Sequence, residues 1–294
     1  MNKKDFEDYC KAGEILKKTK EYIKERIKKE LFLIEIAELI EDKIKELGGE
    51  LAFPVNLSLN EIAAHYTPSF EDKTKAEGLL KIDMGVEVNG CIADSAFSID
   101  LTEDKRYEEM IKLNRKILDE TILSLNLNSR VCDVGNKIYS LLKGKKFNII
   151  KNLTGHCLER YLIHASPSIS NVPNENQTLL KDKAIAIEPF LTTGVGEVIE
   201  GKLSEIFMLV EEKKVRDNET RKLLDFIIKE YKTKPFCKRW LIKKGFKTNF
   251  PLQFLVKEKI LYNFPILIEK SRGIVSQEEE TVVFFENKVV VTTK

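Results

Sequence analysis

The chain has 294 residues, of which 43% are hydrophobic and 33% charged. That mixture supports a sizeable core and excludes wholesale disorder. Forty-nine Lys and Arg stand against 47 Asp and Glu, a net charge of +2, which excludes a polyanion-binding composition overall and leaves room only for a local basic patch. No stretch reaches the roughly 18 uncharged apolar residues that a membrane span needs. The start, MNKKDFEDYCKAGEIL, has no apolar signal core. Five cysteines, odd in number and without a CxxC, argue against a disulfide frame or a structural zinc. A reducing, cytoplasmic setting is the expectation. There are only three histidines: His65, His156 and His164.

In chain order, the first 48 residues read as two helices. One runs from about Lys4 to Lys28 with Phe6, Tyr9, Ile15, Leu16 and Ile23 at helical spacing. The other runs from Leu33 to Leu47 and stops at Gly48-Gly49. The Lys and Glu between their apolar positions read as a solvated face. A loop-rich segment follows, then LLKIDMGVEVNGCIADSAFSID, alternating and centred on Asn89-Gly90, the strongest short-range hairpin signal. Tyr107 to Leu125 and Val131 to Leu142 are further amphipathic helices. Strand-like runs recur in FNIIKNLTG, KAIAIEPFLTTG and KLSEIFMLVEE, and the last segment reads as a hairpin turning near Asn287. Helix, helix, strands is thus followed by helix, helix, strands. This suggests one α+β domain of two similar halves, residues 1–294.

Between about Arg216 and Lys259 the character changes. A helix is expected over Asp217–Tyr231 and another over Pro235–Lys244, with a turn over Gly245–Phe250. Lys229, Lys232, Lys234, Lys238, Arg239, Trp240, Lys243, Lys244 and Lys247 make the stretch basic and aromatic. It reads as a compact helical insertion, about 213–259, hung on the last strands.

Several acids invite chemistry. In a two-residue hairpin at Asn89-Gly90, Asp83 lies opposite Ala96. Asp94 therefore shares its face as a diagonal neighbour. Two carboxylates this close repel unless one is protonated or a cation lies between them. Alone, the pair also fits two unrelated acids on an exposed face. His156 and His164 fall in one short apolar segment, NLTGHCLERYLIHA, although a single such His is more often structural. Glu188 ends the apolar run Ala184–Ile187, where burial requires a partner or a metal. In Glu278-Glu279-Glu280, usually a solvated pattern, alternation points Glu279 away from its two neighbours. Oxygen-rich ligands with one imidazole suit hard or borderline divalent ions, and paired ions activate water.

AFPVNLSLNEIAAHYTP, KIDMGVEVNGCIADSAFS, NLTGHCLERYLIHA, AIEPF and QEEETVV occur in the order seen in the pita-bread metallopeptidases, and over nearly the whole chain the sequence resembles the methionine aminopeptidases. Glu188 and Glu279 lie 91 positions apart, a spacing that resembles the type II subgroup with its helical insertion. The absence of an N-terminal extension resembles the short archaeal kind. The resemblance implies a pita-bread (creatinase/aminopeptidase) fold of two pseudo-symmetric halves with a winged-helix-like insertion. It implies two divalent ions (Co, Mn, Fe or Zn) on Asp83, Asp94, His156, Glu188 and Glu279, with Asp94 and Glu279 bridging and Glu188 as general base. It places His65 and His164 beside the substrate, and Phe53, Ile163 and Phe264 around the methionine side chain.

The implied activity is removal of the initiator methionine before a small second residue by a metal-activated hydroxide. The substrates would be nascent or newly made protein N-termini, the enzyme a monomer off the membrane, and the basic insertion a possible contact to the ribosome. Two other readings share the fold: an X-Pro-type peptidase, and a non-catalytic ribosome- or RNA-binding protein. The chain departs from the family pattern in three places. Glu280 stands where the family has His, Ala165-Ser166-Pro167 follows His164 where Ala-Gly is usual, and Phe264 stands where Tyr is common.

Overall fold

A computed structural model describes residues 1–294. The elements in chain order are α1 (Lys3–Lys24), α2 (Leu33–Glu46), β1 (Glu50–Leu51), β2 (Asn56–Leu59), β3 (Ile62–Ala64), β4 (Leu79–Val88), β5 (Cys91–Asp100), α3 (Glu108–Leu123) and α4 (Val131–Leu142). There follow β6 (Asn148–Ile149), β7 (Thr154–Glu159), β8 (Leu162–Ser170), β9 (Ala184–Ile187), β10 (Phe190–Thr192) and β11 (Val198–Leu209). The last elements are α5 (Asn218–Glu230), β12 (Phe236–Cys237), α6 (Lys238–Lys243), α7 (Asn249–Lys257), β13 (Leu261–Glu269), β14 (Val275–Gln277), β15 (Glu280–Phe285) and β16 (Lys288–Val291).

Local chemistry sets many of the boundaries. Asn2 caps α1 by accepting from the Asp5 amide at 2.9 Å, and Asp217 caps α5 by accepting from the Thr220 amide at 2.8 Å. Each satisfies a donor that the first helical turn leaves free. Asn89 and Gly90, at φ 51° and 88°, form the left-handed pair of a tight hairpin turn. They pair Val88 with Cys91 and Asp83 with Ala96, the register expected from the sequence.

The elements build two halves, each a pair of helices packed on sheet, as the resemblance implies. In the first half, α1 and α2 pack through Ile15, Leu16, Ile23, Ile36, Ile40 and Ile44 onto Ile82, Met84 and Val86 of β4 and Ala93 and Phe97 of β5. In the second half, α3 and α4 pack through Ile117, Leu118, Val134 and Ile138 onto the sheet β16-β15-β9-β7-β8. A further four-stranded sheet has the order β12-β11-β13-β3. Helices α5, α6 and α7 gather around Leu223, Ile227, Phe236, Leu241 and Leu255 in a core of their own. No helix is long and apolar enough to cross a membrane.

Three expectations are corrected. Helix α1 ends at Lys24 rather than Lys28, because Glu25 caps it and Arg26 and Ile27 form a turn back onto Ile23. The expected second insertion helix begins only at Lys238, after the short strand β12, and the expected turn near Phe250 is already α7. Pro251 sits in that helix's first turn, where its missing N–H costs nothing. Third, the Lys and Glu of α1 and α2 are not all solvated. Lys20 and Glu41 are buried, Lys20 against Glu280 and Glu41 in a two-bond pair with Arg239 at 2.7 and 2.8 Å.

Candidate active site

The centre of the molecule holds an unusual density of acid. Strand β4 supplies Asp83 and β5 supplies Asp94, directly opposite Gly85. Strand β7 supplies His156, the residue after β9 is Glu188, and the chain between β14 and β15 supplies Glu279. All five line one cavity of about 470 Å³. Ligand-capable atoms of Asp94, His156 and Glu279 lie within 4.8 Å of one another. His156 Nε2 is 3.7 Å from both Asp94 Oδ2 and Glu188 Oε1.

Burial makes this arrangement electrostatically hard to sustain alone. Asp94 and Glu279 are 4% and 1% exposed. Desolvation raises Asp83 to about 7. It also drives Asp94, Glu188 and Glu279 well above the ordinary carboxylate range, with repulsion among the four acids adding to the effect. Asp83 Oδ1, Asp94 Oδ1 and Glu279 Oε1 are buried without any hydrogen-bond partner. Such orphaned acceptors are rare and call for an ion or a proton. His156 fits the same need. Its Nδ1 contacts the Cys157 carbonyl at 3.3 Å, and burial holds the ring neutral by lowering its pKa to about 4. With the proton on Nδ1, Nε2 offers a lone pair toward the acids, the usual orientation of a ligating imidazole. Four carboxylates and one imidazole suit divalent ions of the Mn, Fe, Co or Zn kind, so the residues present fit the ions that the motif order implies.

The predicted substrate-side residues line the same cavity: Phe53, His65, Ile163, His164 and Phe264. His65 has φ 65°. Its Nδ1 lies 3.1 Å from the Pro265 carbonyl, which turns Nε2 the other way. Its ring meets Phe264 edge-on at 5.2 Å. His164 stands edge-on to His156 at 4.7 Å. Surrounding protein, then the neighbouring His156 and His65, push its pKa below the ordinary value, although the ring opens into the cleft and is accessible. A register shift between His156 and Cys157 in the β7–β8 ladder accompanies the Ala165-Ser166-Pro167 sequence.

The structure adds residues that the sequence reading passed over. Gln277 points its Nε2 at Asp83, Glu188 and Glu279, at 3.4, 3.4 and 3.3 Å. Two positions before Glu279, it shares that residue's face by strand alternation, a signal that was present. Tyr262 packs edge-on against Phe264 at 4.9 Å and lines the cavity. It places a phenol beside the ring whose own hydroxyl is missing. The Glu triplet is not surface: Glu278, Glu279 and Glu280 are all buried.

Comparison with known proteins decides the lineage. Residues 7–293 match metallopeptidase family M24. A methionine aminopeptidase of Methanocaldococcus jannaschii is 38% identical over 297 residues, covering all of both chains. The chain belongs to the methionine aminopeptidases of family M24. Their counterpart from Thermococcus kodakarensis is 42% identical over 296 residues, 98% of this chain and 99% of its own. The crystal structure of the Thermotoga maritima methionine aminopeptidase superposes with a TM-score of 0.72 at 19% identity, covering 100% and 98% of the two chains. That likeness speaks for the fold. Membership of a metallopeptidase family agrees with the need for divalent metal expressed by the orphaned carboxylate oxygens.

Proposed function

We propose that this chain hydrolyses the N-terminal methionine from polypeptides with a small second residue (Gly, Ala, Ser, Thr, Val, Pro or Cys), with Asp83, Asp94, His156, Glu188 and Glu279 holding two divalent ions. One observation carries the proposal. A buried acid cluster with unpartnered oxygens shares a cavity with an apolar lining of Phe53, Ile163 and Phe264. Bound divalent ions supply Lewis-acid polarisation of the scissile carbonyl and a lowered pKa for water.

The chain's own groups do the rest. Glu188 takes the proton of the attacking water at a carboxylate oxygen and passes it to the leaving amine. His164, neutral and accessible, donates an N–H to the oxygen that gains negative charge. His65 spends its Nδ1–H on Pro265, so its Nε2 accepts a substrate amide N–H and holds the peptide. Phe53, Ile163 and Phe264 enclose the methionine side chain, whose flexible thioether packs well on aromatic rings. Gln277 stands across three of the acids, and its amide donors offset part of their negative charge.

The finer assignment is the short archaeal kind of type II enzyme. The 91-position interval from Glu188 to Glu279 supports it, as does the helical group α5–α7 within it. On this reading residues 1–294 are one catalytic domain with an insertion over about 213–259. The enzyme is cytoplasmic and monomeric, and its basic insertion can face the ribosome.

The deciding experiment is methionine release from Met-Ala-Ser in Mn or Co, with and without chelator. Release that vanishes with chelator and in His156→Ala supports the proposal; no release from any small-second-residue peptide by metal-loaded protein sinks it. Resemblance to type II enzymes further implies that a fumagillin-type epoxide alkylates His65. The free Nε2 is the expected atom, and mass spectrometry locating the adduct elsewhere counts against the pocket.

A further inference from the structure

Glu280 is buried at the first position of β15, opposite Ile187 of β9. Its carboxylate gathers three distant parts of the chain. Lys20 of α1 donates to both oxygens at 2.9 and 3.0 Å. Arg115 of α3 donates at 2.7 Å, and Thr293, beside the C-terminal residue, donates at 2.5 Å. Helix α1 belongs to the first half's core and α3 to the second's. One side chain therefore ties both halves together, directly behind Glu279.

The tie continues into the backbone that carries the acids. Ser95, adjacent to Asp94, accepts from Lys20 Nζ at 3.0 Å and donates to the Glu279 carbonyl at 2.8 Å. Thr281, adjacent to Glu280, accepts from the Asp94 amide and donates to the Asp94 carbonyl, both at 2.8 Å. The Glu279 amide donates to the Ala96 carbonyl at 2.9 Å. Strands β5 and β15 lie in different sheets, so these bonds, rather than a strand ladder, fix the spacing of Asp94 and Glu279. Lys20 and Arg115 also place positive charge behind the four acids, with Glu278 (3.7 Å from Arg115) and Asp119 (2.8 Å from Arg115) as the other acids facing them.

We infer that Glu280 is a positioning residue that, through Lys20, Arg115, Ser95 and Thr281, sets the separation of Asp94 and Glu279 and thereby the affinity for metal. The inference rests on reading Asp94 and Glu279 as ligands. A buried ion pair that loses one partner leaves an uncompensated charge. In Glu280→Gln the stranded ammonium of Lys20 and guanidinium of Arg115 must find water or new partners, and Ser95 and Thr281 move with them.

The test titrates chelator-stripped protein with Mn against a fluorescent competing chelator, and measures kcat and KM on Met-Ala-Ser at saturating Mn. Outer partners of ligands typically change metal affinity 10- to 100-fold. Glu280→Gln is expected to lose about that much, and Thr293→Val, which keeps both ion pairs, a smaller amount, with KM for the peptide within about twofold of wild type. Ile40→Val, a core change between α1 and α2, controls for plain destabilisation and should leave Mn affinity alone. If Glu280→Gln binds Mn like wild type while its melting temperature falls as in Ile40→Val, Glu280 is only structural and the inference is overturned. Should Glu280→Gln not fold, Thr293→Val decides: weakened Mn binding supports the role, unchanged binding overturns it. Wild-type protein that binds no Mn at all overturns the ligand reading as well, and so is distinguishable from failure of the positioning role alone.

Discussion

Single residues in this site are confined by contacts that a substitution makes visible. A Cβ added at Gly85 would lie 2.2 Å from Phe53 Cε1, far inside contact distance, so Gly85→Ala must push Phe53 out of the cavity it lines. Raised KM for methionyl peptides with near-normal metal binding is the expected outcome; a variant with wild-type KM would show that Phe53 does not touch the methionine side chain. Glu188→Gln removes the proposed proton acceptor and one metal ligand together. Activity should fall by at least the ~10²–10⁴-fold typical of a lost general base, measured as kcat on Met-Ala-Ser. Register is settled by comparing Glu279→Ala with Glu280→Ala under saturating metal. Loss of activity in the first is required, and full activity in the first with none in the second would place the ligand one residue later.

At the scale of elements, the insertion helices are bolted to the body by buried charge. Arg239 of α6 and Glu41 of α2 are 0% and 2% exposed. Trp240 adds its indole N–H to the same carboxylate at 3.0 Å. Lys234 reaches Glu87 of β4 at 2.7 Å. Glu41→Ala strands Arg239 and should cost about 3–5 kcal/mol, read as a drop in the denaturation midpoint. Early cleavage between α5 and α7 under limited proteolysis should accompany it. Unchanged stability would mean that the apolar contacts alone hold the insertion. The sequence showed Lys and Arg here without saying which were solvated, because helical periodicity places a residue on a face but not against a partner.

For the whole molecule, the acids at the seam make stability depend on pH and metal together. Folded-state pKa values raised above the unfolded ones, about 7 for Asp83 and Glu278 against ordinary values near 4, mean that the folded chain binds more protons between those limits. Stability of the metal-free protein therefore falls as pH rises from about 4 to 7. His156 and His164, lowered to about 4 and about 3, and His65, lowered as well, act in the opposite sense below about 6.5. These three imidazoles stand against the five raised acids Asp83, Asp94, Glu188, Glu278 and Glu279. Divalent ions replace the protons. The rise in melting temperature on adding Mn should thus be larger at pH 7.5 than at pH 5.5. An equal or larger rise at the lower pH would contradict the picture of acids waiting for cations.

The sequence by itself determined the periodic helices, the Asn89-Gly90 hairpin with Asp83 and Asp94 on one face, and the motif order that resembles the family. Each of these depends on near neighbours in the chain, where a period of 3.6 or 2 or a left-handed turn residue is readable directly. It also concentrated all three histidines in the motif segments, and the fold brings all three to one cavity. Only the tertiary structure decided the fate of Lys20, Glu41 and Glu280, whose oppositely charged partners lie 165 to 260 positions away, and the aim of Gln277 at three acids. A charge reads as solvated until the fold surrounds it, because burial and pairing belong to distances between elements rather than to spacing along them.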